Sequence, residues 1–149
     1  MRTLPIQGGM LETVVRALAK SDLFGALRDD QLRKIAQRAE LLQCAPGETL
    51  LAAGDASEAF YVVLNGEAVV RTTSGLEVGR IGPEGVVGEM GVLLGTARTA
   101  TVHAEGPALL LRFEAAVFDA LFERVPGFGL AISRALARRL ASVNDRVRP

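Results

Sequence analysis

Cysteine and histidine are almost missing from this 149-residue chain, which holds one of each, Cys44 and His103. One cysteine excludes an internal disulfide framework and fits a reducing compartment. One histidine excludes any site that needs two imidazoles, including His-Glu-x-x-His enzymes and two-histidine metal centres. Net charge is missing too, since 17 basic residues balance 17 acidic ones. That balance argues against a nucleic-acid module built on a strongly basic face, and against steering of anions by overall charge. No run of about 18 apolar residues occurs, so no membrane-spanning helix is expected. The opening MRTLPIQGGM has no apolar signal core, so export is not indicated and a cytoplasmic location is expected.

What is present is apolar material for one core. Hydrophobic residues make up 49% of the chain, and the length suits a single domain over residues 1–149. The chain reads as helix, strand, helix. Residues 1–39 hold two helical stretches. Met10 to Lys20 puts Leu11, Val14, Val15 and Leu18 on one face. Asp29 and Asp30 open the second, where their charge suits a helix start, and Leu32, Ile35, Ala36 and Ala39 form its buried stripe.

Residues 40–113 change period. Thr49–Ala52, Phe60–Leu64, Ala68–Thr72, Leu76–Ile81, Thr99–Ala104 and Ala108–Phe113 read as strands, with Gly-rich turn signals between them. Asn65-Gly66 between two apolar runs predicts a hairpin. Many short strands at this spacing point to an antiparallel sandwich or barrel. Residues 114–149 return to helix. Phe118, Leu121 and Phe122 share a short face, and Pro126 ends or restarts the helix. A long amphipathic helix then carries Phe128, Ile132, Leu136, Leu140, Val143 and Val147. The arginines crowding it read as a solvated face.

One stretch breaks the strand pattern, from Gly88-Glu89-Met90-Gly91 to Arg98-Thr99-Ala100-Thr101-Val102. A short helix from Glu89, stopped at Gly95, would leave amides exposed at its start, and such amides attract anions. Arg98 adds a guanidinium that can grip a phosphate with two parallel hydrogen bonds. Thr99 adds a hydroxyl, and Glu89 is an acceptor for a sugar hydroxyl. Gly88 and Gly91 permit close backbone approach. A plainer reading also fits these residues: Glu89 complements the helix dipole and pairs with Arg98.

The segment over 88–102 resembles the phosphate-binding cassette of cyclic nucleotide-binding domains, the family of bacterial catabolite activators, cyclic-nucleotide-dependent kinases and gated channels. Arg98 keeps the family's spacing, nine residues after Glu89. The resemblance extends from about Leu23 through Pro46-Gly47-Glu48, Gly54-Asp55, Phe60–Gly66, Phe118–Pro126 and Ala137–Leu140. It implies an α+β fold: an antiparallel β-roll or jelly-roll barrel, flanked by N-terminal helices and a C-terminal helix pair, with a short helix in the cassette. It implies a non-catalytic sensor of a cyclic purine nucleotide, cAMP favoured over cGMP, needing no metal or other cofactor. Glu89 would accept from the ribose 2′-hydroxyl, and Arg98 would neutralise the cyclic phosphate. Amides at Glu89, Met90, Gly91, Thr99 and Ala100 would bind phosphate oxygens. Thr99 would also reach the purine edge, and Val78 and Ile81 would pack on the base.

In this family the last helix commonly swings over the base as a lid. Leu140, Val143 and Asn144 are the lid candidates by resemblance, and they fit a helix-packing stripe equally. Three positions depart from the family pattern: Val87 replaces an aromatic, Gly91 an alanine, and Ala97 a proline. His103 and Cys44 read as a passive strand residue and a passive thiol. Gly82-Pro83-Glu84-Gly85 lacks the Lys-Ser/Thr of a triphosphate loop and reads as a turn. Alternatives stay open. One is a degenerate, non-binding member acting as an interaction or dimerisation scaffold. Another is a regulatory piece of a longer protein with an unidentified effector. A homodimer through the C-terminal helix fits both, while a cupin-type enzyme is opposed by the single histidine.

Overall fold

The computed structural model describes residues 1–147, with side chains to residue 142. Helix α1 (Met10–Lys20) forms where periodicity placed it, and helix α2 (Asp29–Ala36) starts as expected but ends at Ala36, which leaves Ala39 half-buried outside it. Val14, Val15 and Leu18 are buried on α1, and Leu32, Ile35 and Ala36 on α2. Gln31 Oε1 accepts from the Arg28 amide at 3.0 Å, satisfying a donor at the start of α2. Arg33 on α2 donates to Asp29 at 2.7 Å and to Glu12 of α1 at 2.7 and 2.9 Å. The chain closes with α4 (Ala115–Arg124) and α5 (Phe128–Val147).

Seven strands lie between and before these helices: β1 (Arg2–Leu4), β2 (Glu40–Cys44), β3 (Thr49–Leu51), β4 (Ala59–Arg71), β5 (Glu77–Ile81), β6 (Val86–Val87) and β7 (Thr101–Glu114). Every pairing is antiparallel. The order runs β1-β2-β7-β4-β5, with β3 added to β7 and β6 to β4. The end strands β1 and β5 do not pair, so the sheet is an open roll and not a closed barrel. Strands β1, β2 and β6 were not foreseen, because each is short or reads as an extension of a helix or a turn.

The hairpin expected at Asn65-Gly66 does not form. Strand β4 runs straight through it and pairs along its length with β7, which likewise runs through Gly106-Pro107. Asn65 faces Leu109 and Glu67 faces Glu105, so Gly66 alone opposes residues 106–108. The two turn signals thus lie opposite each other and make one bulge, which bends both long strands together. Gly66 sits at φ +86°, and a Cβ there would lie 2.5 Å from the Pro107 carbonyl oxygen. The true hairpin is at Ser74-Gly75, where the Thr72 amide donates to Leu76 O at 2.9 Å.

The long strands are apolar on both faces because each face meets a different core. Phe60 and Val62 of β4, with Leu111 and Phe113 of β7, face the helices. Ala59, Tyr61 and Val63, with Ala108 and Leu110, face the inside of the roll. Alternation at period two divides one apolar run between two cores. All six phenylalanines of the chain join in one cluster that ties the helices to the sheet. Its tightest contact is Phe60 on Phe118, with ring centroids 4.2 Å apart.

Candidate functional site

Strand β6 delivers the chain to Gly88, which adopts φ +83° and admits the sharp entry into helix α3 (Glu89–Leu94). A Cβ at Gly88 would lie 2.8 Å from Arg98 Nη1, so the position has neither the angle nor the space for another residue. Gly95 ends α3, and the chain returns through Arg98 into β7. Helix, return loop and the inner faces of β4, β5 and β7 enclose a cavity of ≈ 420 Å³. Gly88, Glu89, Met90, Gly91, Arg98, Thr99, Ala100 and Ile81 line it, all anticipated from the sequence. Val70 and Val102 add apolar wall from β4 and β7.

Arg98 is 8% exposed. Its guanidinium donates to Gly88 O at 2.6 Å and to Ala59 O. No carboxylate among the described residues lies within ion-pair distance. Burial pulls its pKa below the ordinary arginine value, with Tyr61 and Glu89 opposing the shift. A buried cation with only neutral partners is costly. The cavity therefore has one wall that an anion would stabilise. Backbone bonds from the β3–β4 loop hold this residue. The Arg98 amide donates to Asp55 O, and the Gly54 amide to Arg98 O, each at 2.8 Å.

Glu89 is 6% exposed, and its carboxylate does not pair with Arg98. Arg139 of α5 donates to Glu89 Oε1 and lies 3.9 Å from Asp22. The residue expected to hold a ribose hydroxyl is thus held by the last helix. The inner end of α5 is anchored through buried Phe128, Ile132 and Ala135. Beyond Ala135, Leu136 is half-buried and Leu140 is exposed, and Arg139 is the ion-pair tether to the cassette among the described residues.

Two expected contacts are not made. Val78 is 57% exposed and lies outside the cavity, because alternation on β5 turns it away from the face that carries Ile81. Leu140 is 63% exposed and lines no part of the cavity; on α5 it is Arg139 that turns toward the cassette. The side chains of Val143 and Asn144 fall outside the described residues.

Sequence reasoning missed Arg139 and Ser57. Ser57 donates to Thr96 O at 2.6 Å and braces the return loop. A Cβ on Gly91 would lie 2.2 Å from Ser57 Oγ. The glycine that departs from the family's alanine therefore makes room for this brace. Val87, in place of an aromatic, is fully packed inside the roll. The Gly54-Asp55 turn was the one available signal for the bracing loop.

An open antiparallel roll with a helical cassette set over an internal cavity is the architecture of a ligand-binding regulatory domain. The chain belongs to the cyclic nucleotide-binding domain family, whose model matches residues 41–125. It is 36% identical over 110 residues to the lysophospholipase NTE1 of Pyricularia oryzae, covering 71% of this chain and 7% of that protein. Among solved structures it resembles the N-terminal domain of a transcriptional regulator from Streptomyces coelicolor A3(2). The TM-score is 0.73 at 31% identity, over 88% of this chain and 94% of that one. It also resembles the regulatory domain of Toxoplasma gondii PKA, solved with cAMP. There the TM-score is 0.71 at 27% identity, over 76% of this chain and 45% of that one. No helix among the described residues is long and apolar enough to cross a membrane.

Proposed function

We propose that this chain is a regulatory sensor that binds cAMP in preference to cGMP and signals through α5, with the nucleotide as the only small molecule it requires. The observation that carries this reading is Arg98, a buried guanidinium on the wall of the cavity that donates to neutral carbonyls and makes no direct ion pair among the described residues. A cyclic phosphate would supply a counter-charge and accept charge-assisted bonds from it. Thr99 and Ala100 border the same cavity. The cAMP in the Toxoplasma relative supports the choice of base.

Coupling follows from Glu89. A ribose 2′-hydroxyl and the Arg139 guanidinium would compete for one carboxylate. Binding would release the tether and favour a second position of α5, because a ligand shifts an equilibrium only through the state it contacts better. Leu140, Val143 and Asn144 would then be free to approach the base as a lid. We place this sensor in the cytoplasm, where its one buried thiol meets no oxidising chemistry.

Calorimetric titration of ligand-free protein with cAMP, cGMP and 2′-deoxy-cAMP tests the reading. The expected result is one-to-one binding, tightest for cAMP and weaker without the 2′-hydroxyl. Absence of heat for all three from a folded chain would sink it. That result would leave the scaffold reading, which the existing Glu89–Arg139 pair favours by already satisfying the sugar-binding carboxylate.

A further inference from the structure

On the face made by α2, α4 and the start of α5, two grooves adjoin and share Gln31 as their common wall. The first has a volume of ≈ 270 Å³. Its floor is Ile35, Val117 and Leu121, all buried core residues. Lys34, Arg38 and Arg124 surround that floor. The second, ≈ 410 Å³, has Leu27 and Leu130 in its lining and Arg134 and Arg138 around them. Arg28 also borders it but is matched by Asp30 at 3.1 Å.

Neither groove is lined by an aspartate or glutamate. No carboxylate among the described residues lies within ion-pair distance of Lys34, Arg38, Arg124, Arg134 or Arg138. The chain as a whole is neutral, so this basic face arises from segregation of charge and not from excess. Helical spacing causes it. Gln31, Lys34 and Ile35 share one face of α2, and Arg38 continues that face in the turn after it. Val117, Leu121 and Arg124 share one face of α4.

We propose that these grooves dock an acidic amphipathic segment of a partner protein, its apolar side chains entering the recesses and its carboxylates meeting the cations around them. The geometry disfavours other anions. A bilayer is planar and meets protruding apolar groups, whereas the floor of the first groove, Ile35, Val117 and Leu121, is recessed, and Leu130 of the second is a single exposed leucine. Single-stranded nucleic acid would need stacking platforms, and neither groove contains an aromatic residue. None of its residues lines the cassette cavity, so a docked segment and a nucleotide would not contend for the same space.

The test is fluorescence anisotropy on the whole chain with a labelled peptide carrying Leu and Glu at amphipathic helical spacing. Comparison probes are a Leu/Lys peptide of the same pattern, polyglutamate, anionic phosphatidylserine vesicles and a single-stranded oligonucleotide. The Leu/Glu peptide should bind best, and its affinity should fall with added salt. The triple variant Lys34→Glu, Arg38→Glu, Arg124→Glu should weaken it roughly tenfold or more, while Arg80→Glu on β5 should not. Backbone amide shifts of the parent chain should move at 31–38 and 117–125, which keeps the test valid if the triple variant fails to fold. The proposal is overturned by equal binding to parent and triple variant, by shifts confined elsewhere, by equal binding of polyglutamate, or by preference for vesicles or oligonucleotide.

Discussion

Arg98 shows what one side chain can reveal. A buried guanidinium whose hydrogen-bond acceptors are carbonyls is a poor arrangement for a resting protein and a good one for a receptor of anions. Arg98→Ala should cost about 2–4 kcal/mol of cAMP affinity by calorimetry, the scale of charge-assisted bonds to a desolvated phosphate. Unchanged affinity would remove Arg98 from the site. Glu89 and Arg98 were legible in the sequence because nine residues of local chain join them. Arg139 was not, because it reaches Glu89 from fifty residues away and is one of several arginines on its helix. Ser57 was equally hidden, since a serine in a loop has no local pattern that points to a distant carbonyl. Val78 misled for the opposite reason. Its hydrophobicity was plain, but which face of β5 looked inward was decided by pairing with β4.

At the scale of elements, α5 and the β4–β7 pair matter most. If Arg139 holds α5 to the cassette and competes with the ribose, Arg139→Ala should raise cAMP affinity by about 1 kcal/mol, the order of one ion-pair hydrogen bond. The ligand-free melting temperature should fall, because Glu89 is left buried without its partner. Calorimetry and a thermal melt with and without cAMP check both, and weaker binding in the variant would refute the competition. The bulge makes a different demand. Gly66→Ala would place a Cβ against Pro107 O at a positive φ, and should destabilise the fold by about 2 kcal/mol in denaturant melts. A variant as stable as the parent would mean the strands can straighten. The helices were legible because their periodicity is local, although α2 stops three residues short of the Ala39 that its stripe had included. The long strands were not, since Asn65-Gly66 and Gly106-Pro107 are turn signals when read singly and become a bulge only when paired.

Across the whole molecule, two cores share one sheet, and Cys44 lies in the one inside the roll. Burial raises its thiol pKa, and Glu48 adds to the rise. Below about pH 8.5, the ordinary thiol value, folded and unfolded chains both keep the proton, and the contribution to stability is complete. As pH rises further, the unfolded chain ionises first and stability falls through the folded pKa. Denaturant melts at neutral and alkaline pH should show this decline in the parent and less of it in Cys44→Ala. The native thiol should also resist alkylation until the chain unfolds. Identical pH dependence in parent and variant would rule out a role for the thiol.

Local spacing was enough to write the cassette and the helices, because each depends on residues close together in the chain. The open order of the roll, the division of apolar runs between two cores, the seating of Arg139 on Glu89 and the basic grooves came only with tertiary structure. Each of these joins residues that the chain keeps far apart, and which of them meet is settled by strand register and helix packing, not by any neighbouring pattern.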